Sequence, residues 1–139
     1  MKKKEIDVTV PFIAIREDVK GTEFEPTMGE YLCNPLAVDL LDAEVTTGGF
    51  FSDEFGVIEG GGEPKPSFVV PAGKAVRFTL STWDEYCEMV CYWKVRYRTT
   101  SSTFTTATFA TYKGLADTRA LADVPALGGR AIIVPQSDG

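Results

Sequence analysis

Apolar and polar residues alternate through most of this chain, and the longest clean run is Tyr86–Arg98, YCEMVCYWKVRYR. Cys87, Met89, Cys91, Trp93, Val95 and Tyr97 fall on one side of an extended backbone. Tyr86, Glu88, Val90, Tyr92, Lys94, Arg96 and Arg98 fall on the other. The pattern predicts a single β-strand with a buried apolar face and a largely charged outer face, roughly 43 Å long at ~3.3 Å per residue. The remaining segments are expected to pack around its buried face, with Trp93 at the centre.

Shorter alternations flank it. Ile6, Val8, Val10, Phe12 and Ala14 predict a first strand, and Pro11, which cannot donate to a ladder, puts that strand at a sheet edge. Residues 16–26 read as a polar connection, and a second strand is expected at Met28–Cys33, ended by the Asn34-Pro35 turn signal. A third covers Val38–Val45 and is broken by Thr47-Gly48-Gly49. The phenylalanines around Ser52-Asp53-Glu54 predict a short hairpin or an irregular aromatic loop, with Gly60–Gly62 flexible after it.

Ser67–Val70 is a short strand before turn chemistry at Pro71-Ala72-Gly73. Val76, Phe78 and Leu80 share one face of the next strand, which is expected to pair with the long central one as an antiparallel hairpin. Phe104–Tyr112 alternates again and is rich in threonine. Gly114–Gly129 has no alternation and reads as one short helix near Asp117–Ala122 or as a long loop. Arg130–Pro135 supplies a last strand, and Gln136–Gly139 is expected to fray.

Eight or nine short strands with at most one short helix in 139 residues predict a single all-β domain, an antiparallel sandwich first and a barrel second. The strand spacing, with Trp93 on the central strand, resembles immunoglobulin-like β-sandwich domains, in which a buried tryptophan anchors both sheets. Asp84-Glu85-Tyr86-Cys87 is similar to that family's tyrosine corner, with Tyr86 one residue ahead of the cysteine instead of two. Asn34-Pro35 followed by Val45-Thr46-Thr47-Gly48-Gly49-Phe50 resembles small uncharacterised bacterial proteins. These resemblances imply a fold and carry no activity.

Composition narrows the chemistry. Histidine is absent, which removes Ser-His and Cys-His nucleophiles, imidazole bases and the commonest transition-metal ligand. Of the three cysteines, Cys87 and Cys91 lie four apart on one strand face, about 13 Å at ~3.3 Å per residue. A disulfide spans less than ~7 Å. Cys33 pairs with Cys87 or with Cys91, or all three stay reduced. Reduced thiols, and an alternating segment in place of an apolar block after Lys2–Lys4, point to a cytoplasmic protein. No run of ~18 apolar residues offers a membrane span.

Charge is segregated. The net charge is −6; Gly21–Pro64 holds ten acids and no Lys or Arg, so the remaining ten acids face all 14 basic residues. That balance argues against nucleic acid as a partner. Gly60-Gly61-Gly62 runs into Glu63-Pro64, the wrong charge for a phosphate loop, and no other cofactor motif is present. Asp39, Asp42, Asp53 and Glu54 are candidates for carboxylate-pair chemistry, weighed against a solvated acidic surface. A sandwich of this size is expected to have little room for a deep cleft of ~300 Å³ or more. Asp53 and Glu54 are also the oxygen donors that Ca²⁺ would use, although the alternating acids of an EF-hand loop are missing.

The remaining candidate is a surface. Tyr92, Lys94, Arg96 and Arg98 on the outer face can meet Asp42 and Glu44 of the acidic block, within the chain or across a symmetric dimer. The expectation is therefore a non-catalytic interaction or assembly module with no cofactor, whose partner is protein, a second copy included. The alternative is a binder of a small ligand, a carbohydrate or Ca²⁺ through Gly48–Glu59. An enzyme ranks third, and a phage or virion component is a further reading.

Overall fold

The structure is a computed structural model and describes residues 8–19, 27–53, 56–61, 66–82, 90–100, 103–110 and 121–137. Among these the chain is all-β. Nine strands have four or more residues: β1 (Phe12–Val19), β2 (Thr27–Cys33), β3 (Leu40–Asp53), β4 (Gly56–Gly61), β6 (Ala75–Thr82), β7 (Val90–Arg98), β8 (Thr105–Ala110), β9 (Leu121–Val124) and β10 (Gly129–Ile133). Two shorter ones are β5 (Phe68–Val70) and β11 (Gln136–Ser137), and one 3₁₀ turn spans Pro125–Leu127.

All pairings are antiparallel. One sheet has the order β6-β2-β1-β10-β9 and the other β11-β8-β7-β3-β4, with β5 also on β3. The chain changes sheet between Ile133 and Gln136, where Val134 N–H donates to Ile13 O and Pro135 O accepts from Ala110 N–H.

The central strand has the two faces expected of it. Cys91, Trp93, Val95 and Tyr97 are buried, while Lys94 and Arg96 are exposed and Tyr92 and Arg98 half-buried. The strand begins at Val90; the part expected at Tyr86–Met89 lies outside the described residues. Trp93 Nε1 donates to Glu30 Oε1 over 2.8 Å, both residues buried, so the side of β2 that carries Glu30 faces the second sheet. Register puts Leu32, Ile13 and Ile15 on that side too.

Phe12, Ala14, Tyr31 and Cys33 therefore face away from the second sheet, and yet they are buried as well. The first sheet hides apolar side chains on both faces. Ala126 and Leu127 of the 3₁₀ turn pack against this core. Arg16 ties the turn down, donating from Nη1 to Leu127 O over 2.9 Å and from Nη2 to the Tyr31 hydroxyl over 3.1 Å.

That double burial corrects the first-strand expectation. Pro11 lies just ahead of the strand, so it forces no edge, and β1 sits in the middle of its sheet. A strand buried on both faces reads as a continuous apolar run, here Phe12–Ile15, and not as alternation. Val8 and Val10 are exposed, and β1 runs on to Val19 through part of the expected connection.

Other expectations change for local reasons. The third strand is not broken at its glycines: β3 continues to Asp53, and Gly60 and Gly61 belong to β4. β6 pairs with β2, not with β7, so the chain passes from one sheet to the other between Thr82 and Val90. Alternation cannot tell a hairpin from such a crossover. A bulge where Glu30 and Tyr31 face Thr79 and Arg77 also swaps sides along β6. Val76 shares Leu32's side, whereas Leu80 beyond the bulge is exposed.

Toward the C-terminus, Leu121 and Ala122 lie in a strand, and 111–120, which includes most of the expected helix, is outside the described residues. Gln136 and Ser137, expected to fray, pair with Phe109 and Thr108. No helix among the described residues is long and apolar enough to cross a membrane.

Candidate functional site

The outer face of the second sheet is built from β3, β7 and β8 by simple alternation. Cross-strand neighbours arrange it in rows, Glu44–Arg96–Thr106 and Thr46–Lys94–Thr108. One further row sets Gly48 beside Tyr92. Each row juxtaposes different chemistry, and the charges are not left to solvent alone.

Arg98 Nε donates to Asp42 Oδ2 over 2.6 Å, and Arg96 Nη1 donates to Glu44 Oε2 over 3.4 Å. Asp42, Glu44 and Arg96 keep about half of their side-chain surface in solvent and Arg98 about a third, and such pairs contribute ~0–1 kcal/mol each. Asp42 reaches Arg98 because β3 bulges there. The register slips between Leu41 and Glu44, and Asp42 takes φ = 49°, a left-handed conformation that aspartate tolerates better than most residues.

Arg96 is held from a second direction. Its guanidinium carbon lies 3.6 Å from the centroid of the exposed Phe104 ring. Lys94 Nζ stands 5.9 Å from the Tyr92 ring centroid. The Tyr92 ring in turn lies so closely over Gly48 that a Cβ there would overlap it. This covering aromatic explains why a glycine pair does not interrupt β3.

The structure thus brings Tyr92, Lys94, Arg96, Arg98, Asp42 and Glu44 to one face, with the acid–base pairs closed inside one chain. In the sequence Phe104 reads only as part of an alternating strand; its contact with Arg96 needs the β7–β8 pairing, which brings the start of β8 back beside β7.

The other candidates separate. Asp39 Oδ1 accepts the Ala72 N–H over 2.9 Å and so anchors a turn. Asp53 ends β3, but its side chain, like Glu54, lies outside what is described. Among the described residues no three carboxylates or thiols gather as a metal site would require. Neither Cys33 nor Cys91 is in a disulfide, and Cys87 is outside the described residues.

Two buried polar residues are hard to see in the sequence. Glu30, one of the acids of the Gly21–Pro64 block, is only 4% exposed and faces Trp93. Its position between Met28 and Leu32 in alternation is the available signal. Asn34 is fully buried, which its Asn-Pro turn signal does not suggest. Against the expectation of little room for a deep cleft stands an open hollow. A cavity of about 320 Å³ opens beside the first sheet, lined by Val8, Phe12, Cys33, Pro35, Val124 and Ala126 among others. It exists because the 3₁₀ turn and the Asn34 loop form walls on the outer side of that sheet.

Set beside known proteins, the chain matches no family model, no curated protein and no solved structure.

Proposed function

We propose that this protein is a non-catalytic interaction module that docks an acidic protein surface, a second copy of itself first, on the outer face of the second sheet. The observation that carries the reading is Arg96, an exposed arginine in contact with both Glu44 and Phe104. Arginine and tyrosine are among the residues that dominate binding energy at interfaces. Side chains already ordered lose less entropy when a partner arrives.

Charge supports the choice of partner. Lys94, Arg96 and Arg98 outnumber Asp42 and Glu44 on this face, while the chain as a whole is −6. A second copy can offer its acidic surface to the cationic one. The reading includes an immunoglobulin-like sandwich, supported by Trp93 buried at the sheet centre, and a reducing cytoplasmic setting, supported by Cys33 and Cys91 lying outside any disulfide.

Sedimentation velocity tests it. A dimer or larger species is expected at ~0.01 M salt, weakening toward 1 M as the screening length shortens from ~30 to ~3 Å. The double variant Lys94→Glu/Arg96→Glu should sediment as a monomer and still unfold cooperatively, with a melting temperature lowered somewhat because it sets a carboxylate opposite Glu44. A wild-type monomer at every salt concentration contradicts the proposal.

A further inference from the structure

We propose that the cavity on the outward side of the first sheet binds a neutral, apolar small molecule of about two-ring size. This site is independent of the docking face, since it lies beside the other sheet.

Its floor is the register pair Phe12 and Cys33, on the side of the sheet that faces away from Trp93. Val124, Pro125 and Ala126 form one wall, and Val8 and Pro35 contribute to the rim. Val8, Pro35 and Pro125 are exposed, so the cavity is reachable from solvent.

Hydrogen-bonding capacity selects the ligand. Asn34 lines the cavity and is completely buried, but its side chain is fully engaged by the protein. Oδ1 accepts the Leu36 N–H at 3.0 Å, and Nδ2 lies 2.8 Å from Val38 O, 3.0 Å from Val70 O and 3.3 Å from Pro71 O. Its backbone N–H donates to Lys74 O over 2.8 Å. Pro35 and Pro125 have no N–H to offer. Among the described lining residues Asp123 alone is charged, and strand alternation sends its side chain opposite to that of Val124. Among the described lining residues, then, no charged side chain points into the cavity and the one amide side chain is spent, so a charged ligand would lose its hydration without gaining an ionic partner.

The walls are also fixed in advance. Asn34 clamps its loop to the β5–β6 turn through the bonds just given. The 3₁₀ turn is capped by Gly128 at φ = 67° and held by Arg16 at Leu127 O. A preformed apolar cavity is the usual form of a small-molecule site. At about 320 Å³ it has twice the ~150 Å³ that accommodates benzene in an engineered core. It is too small for a helix or strand of a partner.

The test is titration of the full chain with indole, a neutral two-ring probe, followed by methyl NMR. Saturable shifts are expected at the methyls of Val8, Val124 and Ala126, with at least tenfold weaker binding in Ala126→Phe, which fills the space. Tyr92→Ala, on the other sheet, should bind indole as wild type does. The anion 2-naphthoate should bind at least tenfold more weakly than indole. Absence of saturable shifts in those methyls up to the solubility limit overturns the proposal, as does equal binding of the two probes. Should Ala126→Phe fail to fold, the wild-type comparison of the two probes decides the question by itself.

Discussion

The indole N–H of Trp93 points across the sandwich at Glu30, 2.8 Å from Oε1, and this bond joins the centre of one sheet to the second strand of the other. Packing and polarity can be separated there. Trp93→Ala removes a fully buried ring and should cost about 3–5 kcal/mol. Trp93→Phe keeps most of the apolar volume but withdraws the donor, and should cost about 1–3 kcal/mol for leaving a buried oxygen short of one bond. Denaturant unfolding measures both. A phenylalanine variant as stable as wild type would show that the cross-sheet bond contributes nothing.

Gly48 and Tyr92 form the complementary pair on the outer face. A methyl at Gly48 meets the far end of the tyrosine ring, which can swing, and not backbone. Gly48→Ala should therefore cost less than about 1.5 kcal/mol and displace the ring. In a Tyr92→Ala background the same change should cost almost nothing. A full cost in both backgrounds would place the strain in the strand itself.

Asp42 combines an unusual backbone with an ion pair. Asn and Gly suit its positive φ, and a β-branched residue does not. Asp42→Gly and Asp42→Asn should each change stability by under about 1 kcal/mol, the loss of the Arg98 contact being salt-dependent. Asp42→Val should lose about 1–3 kcal/mol more, insensitive to salt. Thermal melts at low and high salt distinguish the two contributions, and equal losses for Asn and Val would contradict the bulge.

Cys33 makes an alkaline prediction. Burial pushes its thiol from 9.0 up to about 12, with Arg16 pulling weakly the other way. The unfolded chain releases this proton above about pH 9 while the folded one keeps it, so the unfolded state binds fewer protons. Stability then falls as pH rises from about 9 toward about 12. Tyr97, also raised by burial, adds to the same fall. Cys33→Ala should flatten the slope in part. Identical slopes in wild type and variant would show the thiol to be solvated in the fold.

Much of the second sheet is legible in the sequence because its strands are half-buried, so β7 alternates and announces both Trp93 and the outer Lys94–Arg98 row. The first sheet is not, for the opposite reason. With Phe12, Ile13, Ala14 and Ile15 all hidden, no period-two signal marks its faces. Bulges at Asp42 and between Glu30 and Tyr31 shift side chains by one position, which pattern alone cannot register. The Arg98–Asp42 and Arg96–Glu44 pairings are within reach of the sequence as one of two alternatives, but the Phe104 contact and the cavity depend on residues brought together from different strands.

Whether the Tyr92–Arg98 face meets a second copy of the chain is decided by NMR shifts followed over protein concentration at low salt. Self-docking predicts concentration-dependent changes concentrated at Thr46, Tyr92, Lys94, Arg96 and Phe104, absent in Lys94→Glu/Arg96→Glu. Spectra that do not change with concentration, or changes confined to the first sheet, would contradict it.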